Sequence, residues 1–167
     1  GGVNLFEFTD IVKVTQFERS FIDRIIDYCV LFYIGGKRKS YEIQEGFKRL
    51  SKRQKIALDS IKSFVSSARV WILRGDIMMV AEVFRDSWKL KKQSNKAVSN
   101  SRVNEIYDTA MRHGAMAGKL LGAGGGGHML FLCSPERRKA FVLHMKEKGI
   151  EDVDFSVDYQ GLDVRKL

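Results

Sequence analysis

The chain has 167 residues, 44% hydrophobic and 29% charged, and its 29 lysines and arginines outweigh 20 aspartates and glutamates to give a formal charge of +9. That length suits one substantial domain, or one plus a small piece of another, with the composition of an ordinary globular protein. No apolar run nears the roughly 18 residues of a membrane helix, so no membrane partner is expected, and the basic excess points to anions such as phosphorylated metabolites or nucleic acid.

In chain order, residues 3–8 alternate apolar and polar, and residues 11–14 do so again beyond Thr9-Asp10, which predicts a hairpin. Phe21, Ile22, Ile25 and Ile26 share one face of a helix over 18–27, and the apolar run Cys29–Ile34 before Gly35-Gly36 reads as a buried strand. Helices are expected over 38–50 and 54–73, the second with a stripe from Ile56 to Ile72. Asp76 caps a helix over 77–93, and Ser99 or Asn100 caps one over 101–113 that Gly114 ends. A strand-like approach over 116–121 leads into the glycine-rich run Gly122–Gly127, and a strand follows over 128–133. Ser134-Pro135 opens a helix that runs to Lys148, and two short strands are expected near 152–157 and 162–166. Strands interleaved with helices, and tightly joined neighbours, predict an α+β fold with an antiparallel sheet and helices packed on one face.

Charge is scattered along the helices. Lys48, Arg49, Lys52, Arg53 and Lys55, and likewise Lys89, Lys91 and Lys92, read as solvated faces. Trp88 reads as core, and His128 as a partly buried strand histidine without a catalytic role. Cys29 and Cys133 lie in apolar runs, as buried reduced thiols of a cytoplasmic protein would, and no Cys/His spacing suggests a metal site.

The informative segment is Gly122-Ala123-Gly124-Gly125-Gly126-Gly127, preceded by Gly118-Lys119-Leu120-Leu121. A glycine costs up to about 1 kcal/mol relative to alanine in regular structure, so the run needs a reason. Positive φ is one, and close approach to another chain segment or to a ligand is another. A flexible linker is the bland alternative, but the run is short and sits between two buried-looking strands. No Walker-type phosphate loop is present, and a dinucleotide fingerprint needs a helix where a strand follows.

Gly118–Gly127 resembles the third signature of the GHMP kinases, a group that includes galactokinase, homoserine kinase and the mevalonate kinases. Within it the resemblance is nearest to D-glycero-D-manno-heptose 7-phosphate kinases. Gly1-Gly2-Val3-Asn4 with Phe6-Glu7-Phe8, Leu31–Gly35 with Arg38, Glu42 and Ile43, Ser87-Trp88 with Lys91-Lys92, Val98-Ser99-Asn100, and Ile106-Tyr107 match in order and spacing. The resemblance runs over essentially the whole chain.

It implies a two-domain kinase using ATP and Mg2+, whose nucleotide phosphate loop and catalytic Asp lie in an amino-terminal domain. Residues 1–16 would then be the tail of that domain, and 17–167 the carboxy-terminal, ferredoxin-like domain. The start at Gly1-Gly2, without an initiator Met or basic leader, fits a processed chain or fragment. It would contain no catalytic residue or metal ligand and be inactive alone. Gly122, Ala123, Gly124, Gly125, Gly126, Gly127, Lys119 and Arg38 would face the substrate or the phosphate loop. Gly125→Val or Gly126→Val would disable the intact kinase without unfolding it. The substrate would be a sugar or sugar phosphate, with heptose 7-phosphate, phosphorylated at its anomeric hydroxyl, fitting best. A non-catalytic anion- or nucleic-acid-binding module, and a degenerate stand-alone domain, are the alternatives. The inward placement of Phe64, Trp71 and Phe84 weighs against nucleic acid.

Overall fold

The computed structural model describes residues 1–36, 40–48 and 50–163. The chain opens with β1 (Asn4–Phe8) and β2 (Val12–Gln16), an antiparallel pair with Asn4 opposite Gln16 that forms a two-stranded sheet of its own. After α1 (Arg19–Ile26), β3 (Cys29–Gly35) enters a second sheet, the core of the molecule. Next come α2 (Ser40–Glu45), α3 (Lys52–Arg74), α4 (Ile77–Ser94), a 3-10 turn over Lys96–Val98, and α5 (Ser101–Arg112). The remaining elements are β4 (Ala115–Leu120), β5 (Gly127–Cys133), α6 (Pro135–Glu147) and β6 (Glu151–Val153).

The main sheet has the order β4-β5-β3-β6, antiparallel throughout. Val30, Phe32 and Ile34 of β3 join Met129 and Phe131 of β5 in one apolar cluster with α5 and α6, where Phe32, Phe131 and Phe141 meet edge to face at 5.5–6.0 Å. The alternate residues Cys29 and Leu132, with Ala117, meet Val80 and Ala81 of α4 in a second cluster flanked by Ile25 and Trp71. The α+β antiparallel class expected from the sequence is the observed one; the second cluster adds apolar packing on the other face. Both cysteines are buried and unpaired, and burial pushes the Cys29 thiol up to about 11. None of the helices among the described residues is long and apolar enough to cross a membrane.

Local chemistry sets the boundaries. Asp76 accepts from the Met79 N–H at 3.1 Å, as expected. Asn100 rather than Ser99 caps α5, accepting from the Val103 N–H at 3.0 Å. Ser51 and Gln54 form a reciprocal capping box at the start of α3, a Ser-x-x-Gln pattern that hydrophobic periodicity alone passes over. The helix expected to reach residue 50 ends at Glu45. Asn95, 6% exposed, donates to the Ile43 carbonyl at 2.8 Å, and a Cβ at Gly46 would stand 2.6 Å from its Nδ2. The strand expected over 152–157 spans only Glu151–Val153. The one expected over 162–166 is not formed at 162–163, and residues 164–166 lie outside the described residues.

Asn95 also accepts from the Ala97 N–H at 2.9 Å. Asn95→Ala strands a buried carbonyl and an amide at once, a loss of about 2–3 kcal/mol. A melting temperature lower by about 5–10 °C is expected for a chain of this size. Asn95→Asp should not restore it, because a carboxylate cannot donate to Ile43.

Candidate functional site

The glycine-rich run is the β4–β5 connection. The Leu121 N–H donates to the His128 carbonyl at 2.9 Å and closes its base. Gly122, Gly124, Gly125 and Gly127 have φ of 73°, 131°, 77° and 103°, a region side chains disfavour. The loop is packed inward. A Cβ on Gly124 would lie 2.7 Å from Val98 Cα and 2.8 Å from its carbonyl oxygen, and one on Gly126 would lie 2.6 Å from the Gly35 carbonyl oxygen. The Gly125 N–H donates to the Val98 carbonyl at 2.9 Å, and Asn100 Nδ2 donates to the Gly125 carbonyl at 3.0 Å.

Asn100 therefore does two jobs. Its side-chain oxygen caps α5, while its NH2 group holds the loop. Of the reasons expected from the sequence, positive φ and close approach to another chain segment are both met: contacts inside the chain already account for Gly124 and Gly126. For the same reason Gly126→Val cannot leave the fold untouched. The outer rim is Gly122, which is exposed, with Ala123 and Gly125 half-buried. Among the described residues no acceptor takes the N–H groups of Gly122, Ala123 or Gly124. Successive free amides of this kind suit an anion.

Lys119 is half-buried on β4, with its ammonium 5.6 Å from the centre of the Phe84 ring. Burial lowers its pKa below the ordinary lysine value. Of the three lysines of α4 read as solvated, Lys89 is exposed, but Lys91 and Lys92 are tied down. Lys91 donates to the Gly122 carbonyl at 2.7 Å. Lys92 lies over the Trp88 and Tyr107 rings at 5.6 and 5.4 Å and donates to Asn104 Oδ1 at 3.4 Å. The helical pattern gives no sign of this, because, Trp88 apart, their partners come from the loop and from α5.

Trp88 is core, as expected, and His128 is half-buried against Tyr33, with ring centres 5.1 Å apart. Arg38 lies outside the described residues. The structure thus gathers Lys119 and Gly122–Gly127 at one end of β4 and adds Val98, Asn100 and Lys91.

Residues 68–151 match the family described as GHMP kinases C terminal. The chain is 27% identical, over 97% of its length, to a D-glycero-alpha-D-manno-heptose 7-phosphate kinase of Campylobacter jejuni, covering 50% of that protein. In fold it is similar to the mevalonate kinase of L. major, with a TM-score of 0.71 and 22% identity over 89% of this chain and 45% of that one. It is also similar to a D-glycero-D-manno-heptose 1-phosphate kinase of Bacteroides thetaiotaomicron, with a TM-score of 0.58 and 22% identity over 92% of this chain and 41% of that one. The chain spans about half the length of the curated relative it matches.

Proposed function

The chain belongs to the GHMP kinases, as their carboxy-terminal region, and from that premise we propose that it is one half of an ATP-dependent sugar kinase. The reaction transfers the γ-phosphoryl group of ATP to an alcohol, with heptose 7-phosphate as acceptor and its anomeric hydroxyl as nucleophile. The observation that carries this reading is the packed glycine loop, with the free amides of Gly122 and Ala123 on its rim. Phosphoryl transfer is governed by positioning and by stabilising charge on phosphate oxygens, and fixed amides and ammonium groups supply both without covalent chemistry. Gly122–Gly127 and Lys119 form this half's wall of the cleft. Arg38 is proposed to contact phosphate on the resemblance of its segment to the heptose kinases.

Among the described residues no three His, Cys, Asp or Glu side chains cluster as metal ligands. In this reading the resemblance assigns Mg2+ and the catalytic base to the amino-terminal half. The heptose assignment draws on the Campylobacter jejuni relative. The two buried free thiols fit a reducing, cytoplasmic setting.

Residues 1–16 are assigned to the amino-terminal domain and 17–167 to the carboxy-terminal one. An isolated two-stranded hairpin is marginal in water, and this one exposes Phe6, Phe8, Val12 and Val14. Between it and α3 runs a groove of about 990 Å³ whose lining includes Phe6, Phe8, Val65, Val70 and Leu73. The occupant is the amino-terminal half of the same kinase, for the chain covers 50% of its curated relative and the hairpin lacks a sheet to join.

Phe8 is 81% exposed, so Phe8→Asp should leave this chain's melting temperature unchanged. It should weaken association with the amino-terminal half by about tenfold or more in a co-expression titration. Equal affinity would remove the domain assignment. The function itself is tested by joining the two halves and following ADP release with heptose 7-phosphate. ATP-dependent turnover is expected, and an assembled protein that transfers phosphate to no sugar would overturn the reading.

A further inference from the structure

Three side chains of α4 point along one helix face: Phe84, Ser87 at i+3 and Lys91 at i+7. Lys119 comes from β4 to lie over Phe84, and Lys91 reaches the loop at the Gly122 carbonyl. Both lysines are half-buried, and among the described residues neither meets a carboxylate. Burial lowers the pKa of each, and the Lys119 charge lowers that of Lys91 further. Two neighbouring ammonium groups withdrawn from water without a counter-ion cost stability. One carbonyl and one ring face offset that only in part. Lys91 retains two further N–H donors and Lys119 three, and Gly122, whose carbonyl Lys91 meets, has a free amide of its own.

We propose that Lys91, Lys119 and the Gly122 rim of the loop form a binding subsite for a phosphate dianion, which is the counter-ion this pair lacks. Which phosphate enters, that of the sugar phosphate or one of the nucleotide, rests on the kinase reading; the affinity for phosphate does not. Ser87 stands between Phe84 and Lys91 on the same face, with its hydroxyl now donating to the Phe84 carbonyl at 3.0 Å. It can turn to donate to the anion.

The sign of the charge effect gives the proposal a second readout. A lysine whose folded-state pKa is depressed destabilises the fold while it is charged, and the cost is relieved as pH rises through that depressed value. Lys119→Met and Lys91→Met are therefore expected to melt higher than the parent chain near neutral pH without phosphate. The advantage should shrink as pH rises toward the ordinary lysine range.

The experiment is a thermal-shift titration of the chain with inorganic phosphate at constant ionic strength, balanced with chloride. The parent melts progressively higher as phosphate is added. Lys119→Met and Lys91→Met each weaken the response about tenfold or abolish it, while Lys89→Met, an exposed lysine on the same helix, keeps it. A parent that does not respond, or a Lys119→Met chain that responds like the parent, overturns the subsite. Repeating the titration with glucose 6-phosphate and with ATP identifies the source, since the stronger response names the molecule whose phosphate is held. The titration involves no turnover. A failed titration therefore leaves the kinase reading standing, and absence of transfer by the joined halves leaves the subsite standing.

Discussion

Gly124→Ala lowers the stability of the chain by about 3 kcal/mol, the largest loss expected from adding a single methyl group to the loop. Two effects combine. The φ of 131° is one that a side chain rarely adopts, costing about 1–3 kcal/mol. The new Cβ would also stand 2.7 Å from Val98 Cα and 2.8 Å from its carbonyl oxygen, backbone atoms that cannot rotate away. Overpacking of that kind adds about 1–3 kcal/mol. For a domain of this size the melting temperature should fall by about 6–12 °C. An unchanged melt would mean that the loop does not lie on Val98 in solution. This sensitivity also bears on function: a loss of activity in a Gly124 variant reports the fold of the loop before it reports any contact with substrate. The Lys119 and Lys91 variants, expected to be more stable than the parent, separate the two.

Gly118→Ala is the second. Gly118 has no unusual φ, yet a Cβ there would fall on the ring of Phe131, across the β4–β5 pair. Phe131 is fully buried and is boxed in by Phe32, Phe141 and Tyr107 at 6.0–6.2 Å, so the ring has nowhere to retreat. A cost of about 2–3 kcal/mol is expected, read as a shift of the urea midpoint without a change of slope. Phe131→Leu alone costs about 1–2 kcal/mol. In the double variant the smaller side chain makes room, so at least 1 kcal/mol of the Gly118 penalty should disappear. Strict additivity would show that the ring is not what excludes the methyl group.

The elements themselves could be read from local pattern. The hairpin, α1, β3, α4 and α6 fall close to their expected spans because alternation, the 3.6-residue stripe, the cap at Asp76 and the helix-opening Pro135 are all short-range signals. What escaped is what depends on distant partners. Helix α2 is cut short by Asn95, some fifty residues later in the chain. Lys91 and Lys92 looked solvated because a helix pattern records which face is polar and not what another element lays across it. The glycine run is legible as built rather than loose, and close approach to another chain segment is legible as one reason for it, but which segment is not. The close contacts with Val98 and Gly35 cannot be seen until strand order and the 3-10 turn are in place. Asn100 was legible as a cap and illegible as the anchor of Gly125 for the same reason.

Gly36 and Gly126 press against each other, and a methyl on either would meet the other's main chain at 3.0–3.2 Å. The hairpin tip between β4 and β5 is thereby locked to the exit of β3. A segment made almost wholly of glycine is usually the most pliable part of a protein, a flap ready to fold over whatever arrives. Here it is closer to a fixed jaw: it cannot lift without dragging the end of a central strand along with it. Whatever comes to this surface meets a rim that keeps its shape, and any movement that closes over it has to come from elsewhere.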